Sequence, residues 1–199
     1  MRSFDYIESG KTLLTPHTTS LLAAIHEAKG RQSIQTTIRP DILGTLVAVA
    51  RIQSTDASNR IEGISTSDSR LNDLVSEKVT PRNRNEEEIA GYRDALSVIH
   101  ESHDYIPITP NVILQLHRDL FRHTPLTFAG HFKDSDNVII ERDAHGTSTV
   151  RFAPPSALVT PELIERACSA YTQAIRDGHT DPLLAIVMFI LDFICIHPF

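Results

Sequence analysis

Leu183-Leu184-Ala185-Ile186-Val187-Met188-Phe189-Ile190-Leu191-Asp192-Phe193-Ile194-Cys195-Ile196 is the stretch whose reading sets the fold class. It falls short of the roughly 20 apolar residues that a membrane-spanning helix needs, and it contains an aspartate. It is therefore expected to be a buried core helix. Asp181-Pro182 supplies its start, as an N-cap followed by proline at the first helical position. A helix apolar nearly all round belongs at the centre of a bundle. His197-Pro198-Phe199 follows directly, and a histidine before proline is also plain helix termination.

Upstream, the same signals give a mostly α chain of seven expected helices. Thr160-Pro161 opens a helix carrying Leu163, Ile164, Ala167, Tyr171, Ala174 and Ile175, which stops at Gly178. Thr109-Pro110 opens another, with Val112, Ile113, Leu116, Leu120 and Phe121 at helical spacing. Asn83 to Ser102 repeats Ile89, Tyr92, Ala95, Leu96 and Ile99, and begins with Glu86-Glu87-Glu88, expected as a solvated start complementing the helix dipole. A short polar helix is expected at 65–77. One at 41–62 shows a broad apolar face of Ile42, Leu43, Leu46, Val47, Val49, Ala50 and Ile52, and stops at Gly63. A first helix at 18–29 stops at Gly30, and residues 1–16 read as irregular. Between the helices, Val138-Ile139-Ile140 and Thr149-Val150-Arg151-Phe152 flank a turn-like Asp143-Ala144-His145-Gly146, which predicts one β-hairpin. The strongest linker is the segment around 78–84.

Composition excludes several function classes. The 199 residues carry a net charge of −6, which argues against a nucleic-acid footprint. Two cysteines, Cys168 and Cys195, cannot build a disulfide scaffold and have no CxxC spacing for zinc. The N-terminus has no apolar secretory core, so a cytoplasmic protein with no membrane partner is expected. His100 and His103 read as surface residues. The glycines form no phosphate loop, and no metal site is expected in this chain.

Ser58-Asn59-Arg60-Ile61-Glu62-Gly63 is more informative. Ser58 and Glu62 are four apart and share a helix face. Glu62 lies near a helix C-terminus, where the dipole disfavours a carboxylate. That placement asks for a partner cation or for simple solvent exposure.

Taken in order, these pieces resemble a Fic-domain protein of the class that carries its own N-terminal inhibitory helix. Ser58 through Ile64 is similar to the inhibitory motif Ser/Thr-x-x-x-Glu-Gly/Asn. Glu88-Ile89-x-x-Tyr92-x-x-Ala95-Leu96 and Leu116-His117-Arg118-x-Leu120 resemble the helices that follow it. Gly130-His131-Phe132-Lys133 and Val138-Ile139-Ile140 resemble the entry to the flap hairpin, and Phe152-x-Pro154-Pro155 its exit. Ile196-His197-Pro198-Phe199 matches the opening of the signature His-Pro-Phe-x-Asp/Glu-Gly-Asn-Gly-Arg. Lys133 stands where the family often has arginine. The rest of the signature is absent, so the resemblance implies a catalytic domain interrupted within it.

The resemblance implies a Fic-like helical bundle with one β-hairpin flap, its C-terminal part missing. An N-terminal region with the inhibitory helix would span 1–80 and an incomplete Fic core 81–199. It implies transfer of AMP from ATP, with Mg²⁺, to a Ser, Thr or Tyr hydroxyl of a target protein. His197 would be the general base, a role suited to an imidazole with pKa of about 6.5. Glu62 would inhibit by pairing with the signature's arginine, with Ser58 and Gly63 in the same motif. The hairpin around Val138, Ile139 and Ile140 would hold the target segment by strand addition. The magnesium ligand is expected beyond residue 199, and the 199-residue chain is expected to be inactive because the phosphate loop is absent. A homo-oligomer is possible. Two other readings stand beside this one: a non-catalytic helical interaction fragment, and transfer of another phosphate-containing group.

Overall fold

The structure, a computed structural model, describes residues 4–38, 40–143 and 145–199, and the side chains of all of these except 35–42. The Ile42 side chain, expected on an apolar face, and Ala144, expected in a turn, lie outside the described residues. The architecture is mostly α, with a single two-stranded antiparallel sheet, as expected. The described residues form α1 (Tyr6–Leu13), α2 (Pro16–Ile38), α3 (Pro40–Ile61), α4 (Asp68–Val75), α5 (Arg84–Ser102), α6 (Pro110–Leu120), α7 (Thr160–Asp177) and α8 (Pro182–Ile196). Strands β1 (Ile139–Arg142) and β2 (Ser148–Phe152) make the hairpin, with Ile140 opposite Val150 and Arg142 opposite Ser148.

Two local expectations fail at the N-terminus. Residues 6–13 are a helix, α1, where an irregular segment was expected. Asp5 caps it by accepting from the Glu8 N–H at 3.0 Å. A helix of two turns gives no readable periodicity, and its anchors are single contacts. Tyr6 is buried and donates its hydroxyl to Asp192 at 2.8 Å. Helix α2 also runs through Gly30 instead of stopping there. A helical glycine costs about 1 kcal/mol relative to alanine, which long flanking turns can absorb.

The chain divides into two compact units. The first comprises the described residues up to Ser20 together with Ile108–Leu114 and His131–Phe199. Its core is Leu163, Ile164, Ala167 and Cys168 from α7 with Ile196 from α8, and Phe4, Ile113, Phe132, Phe189 and Phe193 pack around them. Each fully buried apolar side chain contributes about 1.5–3 kcal/mol. Helix α8 corrects the central-helix expectation. Leu184, Ala185, Met188, Asp192 and Ile196 are buried, but Val187 and Ile194 are each 59% exposed, and Ile186, Ile190 and Leu191 share that outer face. One stripe of the helix is core and the other faces outward.

The second unit comprises Leu21–Pro107 and Gln115–Gly130. Leu71 and Leu74 of α4 meet Ile89 of α5, with Ile52, Ile64, Val75 and Val79 against them. The apolar face expected on α3 is only partly core: Ile52 packs against this cluster, while Leu46, Val47 and Val49 are exposed. Glu86 corrects the reading of the acidic triplet. It is 3% exposed and takes hydrogen bonds from Arg70 Nε at 3.0 Å and Nη2 at 2.5 Å, Thr66 at 3.1 Å and the Arg82 N–H at 2.9 Å. The Arg70 hydrogen bond outweighs the cost of burial and brings its pKa down to about 2. This carboxylate ties α4 to the first turn of α5.

Candidate active site

The first-unit site is the turn after α8. Its last turn closes normally, with the His197 N–H donating to Phe193 C=O at 3.0 Å. The chain then bends sharply because His197 adopts left-handed backbone, φ 50 and ψ 67. A non-glycine residue pays of order 1–3 kcal/mol there and persists only where its surroundings fix it. Lys133 supplies that fixation from both sides. Its backbone N–H donates to Pro198 C=O at 2.8 Å, and its ammonium donates to Ile196 C=O at 3.1 Å and to Asn137 Oδ1 at 3.1 Å. Burial lowers the pKa of this ammonium, partly offset by Asp136. Pro198 is buried, and Phe199 stacks on Phe132 at 6.1 Å and meets Phe193 edge-on at 6.2 Å. His197 itself is exposed. The backbone on either side is held while the imidazole is open to a reactant.

Val138, Ile139 and Ile140, expected to contact a target, are 50%, 42% and 53% exposed on the hairpin. Both hairpin strands are exposed along their length. β2 leads through Phe152 to Pro154-Pro155, the breaker read in the sequence.

The second-unit site is the end of α3. The helix ends at Ile61, and Glu62-Gly63 forms the turn beyond it. Gly63 has φ 75, a conformation that glycine adopts without a steric penalty. Asn59 organises this turn: its carbonyl accepts from the Glu62 N–H at 3.1 Å and the Ile64 N–H at 2.9 Å, while its amide donates to Thr55 C=O at 2.8 Å. Ser58 accepts from the Tyr92 hydroxyl at 2.9 Å, which fixes the end of α3 to α5. Ser58, Asn59, Glu62 and Gly63 line one cavity of about 720 Å³ together with Tyr92 and Arg84. Glu62 is exposed at its wall. Arg84 is an ion-pair partner of Glu88 at 2.8 Å, so this cavity already carries both signs of charge.

The structure thus gathers Ser58, Glu62 and Gly63 in one place and holds His197 in a fixed turn. Sequence reasoning missed the work of Lys133, Asn59 and Glu86. For Glu86 a signal existed: Asn83 and Glu86 have the spacing of an N-cap and its third helical residue, and Asn83 Oδ1 does accept from the Glu86 N–H at 3.0 Å. The clamping by Lys133 rests on carbonyls about 63 residues away and has no local signal.

Among the described residues, no group of three or more His, Cys, Asp or Glu side chains gathers as a metal site. No helix among them is long and apolar enough to cross a membrane.

Comparison with known proteins agrees with this layout. No curated protein matches the chain. Among solved structures, a Fic domain-containing signaling protein from Bacteroides thetaiotaomicron VPI-5482 is similar with a TM-score of 0.68 and 21% identity, covering 80% of this chain and 60% of that one. A Fic family protein from Desulfovibrio desulfuricans G20 is similar with a TM-score of 0.67 and 21% identity, covering 94% of this chain and 53% of that one. The chain thus spans little more than half the length of the proteins it matches. The model of the Fic/DOC family matches residues 107–199, the stretch that holds α6, the hairpin, α7, α8 and the His197 turn. Residues 107–199 are thus similar to the Fic/DOC family.

Proposed function

We propose that the protein works as a Fic-type transferase that moves AMP from ATP to a Ser, Thr or Tyr hydroxyl of a cytoplasmic target protein. The observation that carries this reading is the His197 turn: a solvent-facing imidazole on a strained backbone, bracketed by Lys133 hydrogen bonds to the carbonyls of Ile196 and Pro198. A base must be free to accept a proton and restrained enough to meet the attacking oxygen. His197 takes the hydroxyl proton, the target segment lies along the exposed hairpin near Val138, Ile139 and Ile140, and Glu62 restrains the reaction from the end of α3. ATP supplies the AMP group: the hydroxyl oxygen bonds to the α-phosphorus as the bond to pyrophosphate breaks and pyrophosphate leaves. The residues present do not fit a magnesium and triphosphate cradle: no acidic cluster gathers among those described, and no glycine-rich loop occurs in the sequence. The cradle is the part of this proposal to which these residues do not contribute.

The test is intact-mass analysis of target proteins after incubation of the protein, in a form that carries the complete signature, with ATP, other nucleoside triphosphates and phosphate-containing group donors. Addition of an adenylate mass, with ATP alone as donor, supports the reading. A different phosphate-containing adduct replaces AMP with that group, and the absence of any nucleotide-derived adduct contradicts the enzyme reading.

A further inference from the structure

We propose that a second, apolar cavity at the exit of the hairpin is a specificity pocket for a lysine or arginine side chain of the protein segment bound along that hairpin. The proposal rests on the target-binding role given to the hairpin above. The cavity encloses about 470 Å³, and its walls include Phe4, Phe152, Pro154 and Ile196. Phe152, the last residue of β2, pairs with Ile139 of β1, so the wall is continuous with the sheet on which the target segment would lie. A strand added to that sheet presents alternate side chains to one face of it.

The polar groups select the occupant. Two carboxylates line this otherwise apolar space: Asp192, which is 2% exposed, and Glu162 at the start of α7. Asp192 takes the Tyr6 hydroxyl at 2.8 Å, so its position is fixed. Apolar walls with acidic groups suit a side chain with a hydrocarbon stem and a cationic end, because the stem desolvates while the charge finds its counterpart. The Arg166 guanidinium lies 5.3 Å from the centre of the Phe4 ring and 3.8 Å from Glu162. An anionic or neutral polar side chain would meet the same carboxylates without gain.

Cys195 also lines the cavity and gives a direct handle on its preference. Cys168 is buried, and burial raises its thiol pKa to about 11, so it competes poorly for disulfide exchange. The protein is equilibrated with the disulfides of cysteamine, mercaptoethanol and mercaptopropionate, and mixed disulfide at Cys195 is read by mass spectrometry. Each yield is normalised to the chain unfolded in urea. The expected result is cysteamine favoured over mercaptopropionate by about tenfold, equivalent to about 1.4 kcal/mol. Glu162→Gln, an exposed change that leaves the Tyr6 contact intact, reduces that preference about threefold. Equal yields for the three thiols overturn the proposal.

A second arm uses two extended peptides that differ only in a central lysine or norleucine, with binding read by fluorescence anisotropy. Tighter binding of the lysine peptide, with the advantage lost in Asp192→Asn and reduced in Glu162→Gln, supports the pocket. Equal binding of both peptides overturns the pocket and leaves the hairpin role standing. Binding of neither peptide, with cysteamine still preferred, overturns a protein segment as the source of the cation and the hairpin role with it.

Discussion

Glu86 ties α4 to α5, and Lys133 holds the turn after α8. Glu86 has a pKa of about 2, well below its ordinary 4.5, so it contributes stability that is fully present above pH ~4.5 and is lost as pH falls towards 2. Urea unfolding measured between pH 7 and pH 3 should show this loss, and Glu86→Gln should flatten it. At pH 7 the same substitution is expected to cost about 2 kcal/mol, a discounted figure because solvent reaches the partner arginine. Tyr92→Phe removes the donor to Ser58 and should cost about 1 kcal/mol. Lys133→Met removes only the ammonium end of the clamp. It is expected to lower transfer activity by at least about tenfold with a shift in thermal midpoint of a few degrees, measured by adduct formation and calorimetry. An equal loss of activity and fold would make Lys133 a structural residue alone.

Elements were legible wherever a cap and a long periodic face coincided. Thr109-Pro110, Asp181-Pro182 and Gly178 mark ends that the structure keeps within a residue or so. The hairpin was legible from two β-prone runs and a turn. Helix α1 was not, because two turns anchored by Tyr6 carry no pattern. The outward face of α8 was not, because an apolar run does not say how many of its sides are covered. Close approach between elements is likewise invisible in sequence. A Cβ on Gly91 of α5 would lie 1.9 Å from the Leu120 carbonyl oxygen at the end of α6, so Gly91→Ala is expected to cost ~3 kcal/mol or more. Gly30 has nothing within 4 Å, so Gly30→Ala should instead stabilise slightly. Thermal unfolding of the two variants side by side checks both signs.

For the whole molecule, the candidate base and the candidate inhibitor belong to different compact units. The candidate base lies in the part the Fic/DOC model matches, and the candidate inhibitory motif precedes that part in the chain. The order of the motifs was legible. The fixation of the His197 turn by Lys133 was not, because it depends on contacts distant in sequence. The exposed stripe of α8 makes a further prediction at this scale. Val187→Glu and Ile194→Glu should leave stability within about 0.5 kcal/mol while raising solubility, read by urea unfolding and light scattering. The central claim, that His197 is the base and Glu62 the restraint, is tested most directly by transfer from ATP labelled on its α-phosphate. Wild-type protein, Glu62→Gly and His197→Ala, each in a form that carries the complete signature, are compared with the same targets. The account predicts more label with Glu62→Gly than with wild type, and none with His197→Ala. Equal labelling by wild type and His197→Ala would contradict it.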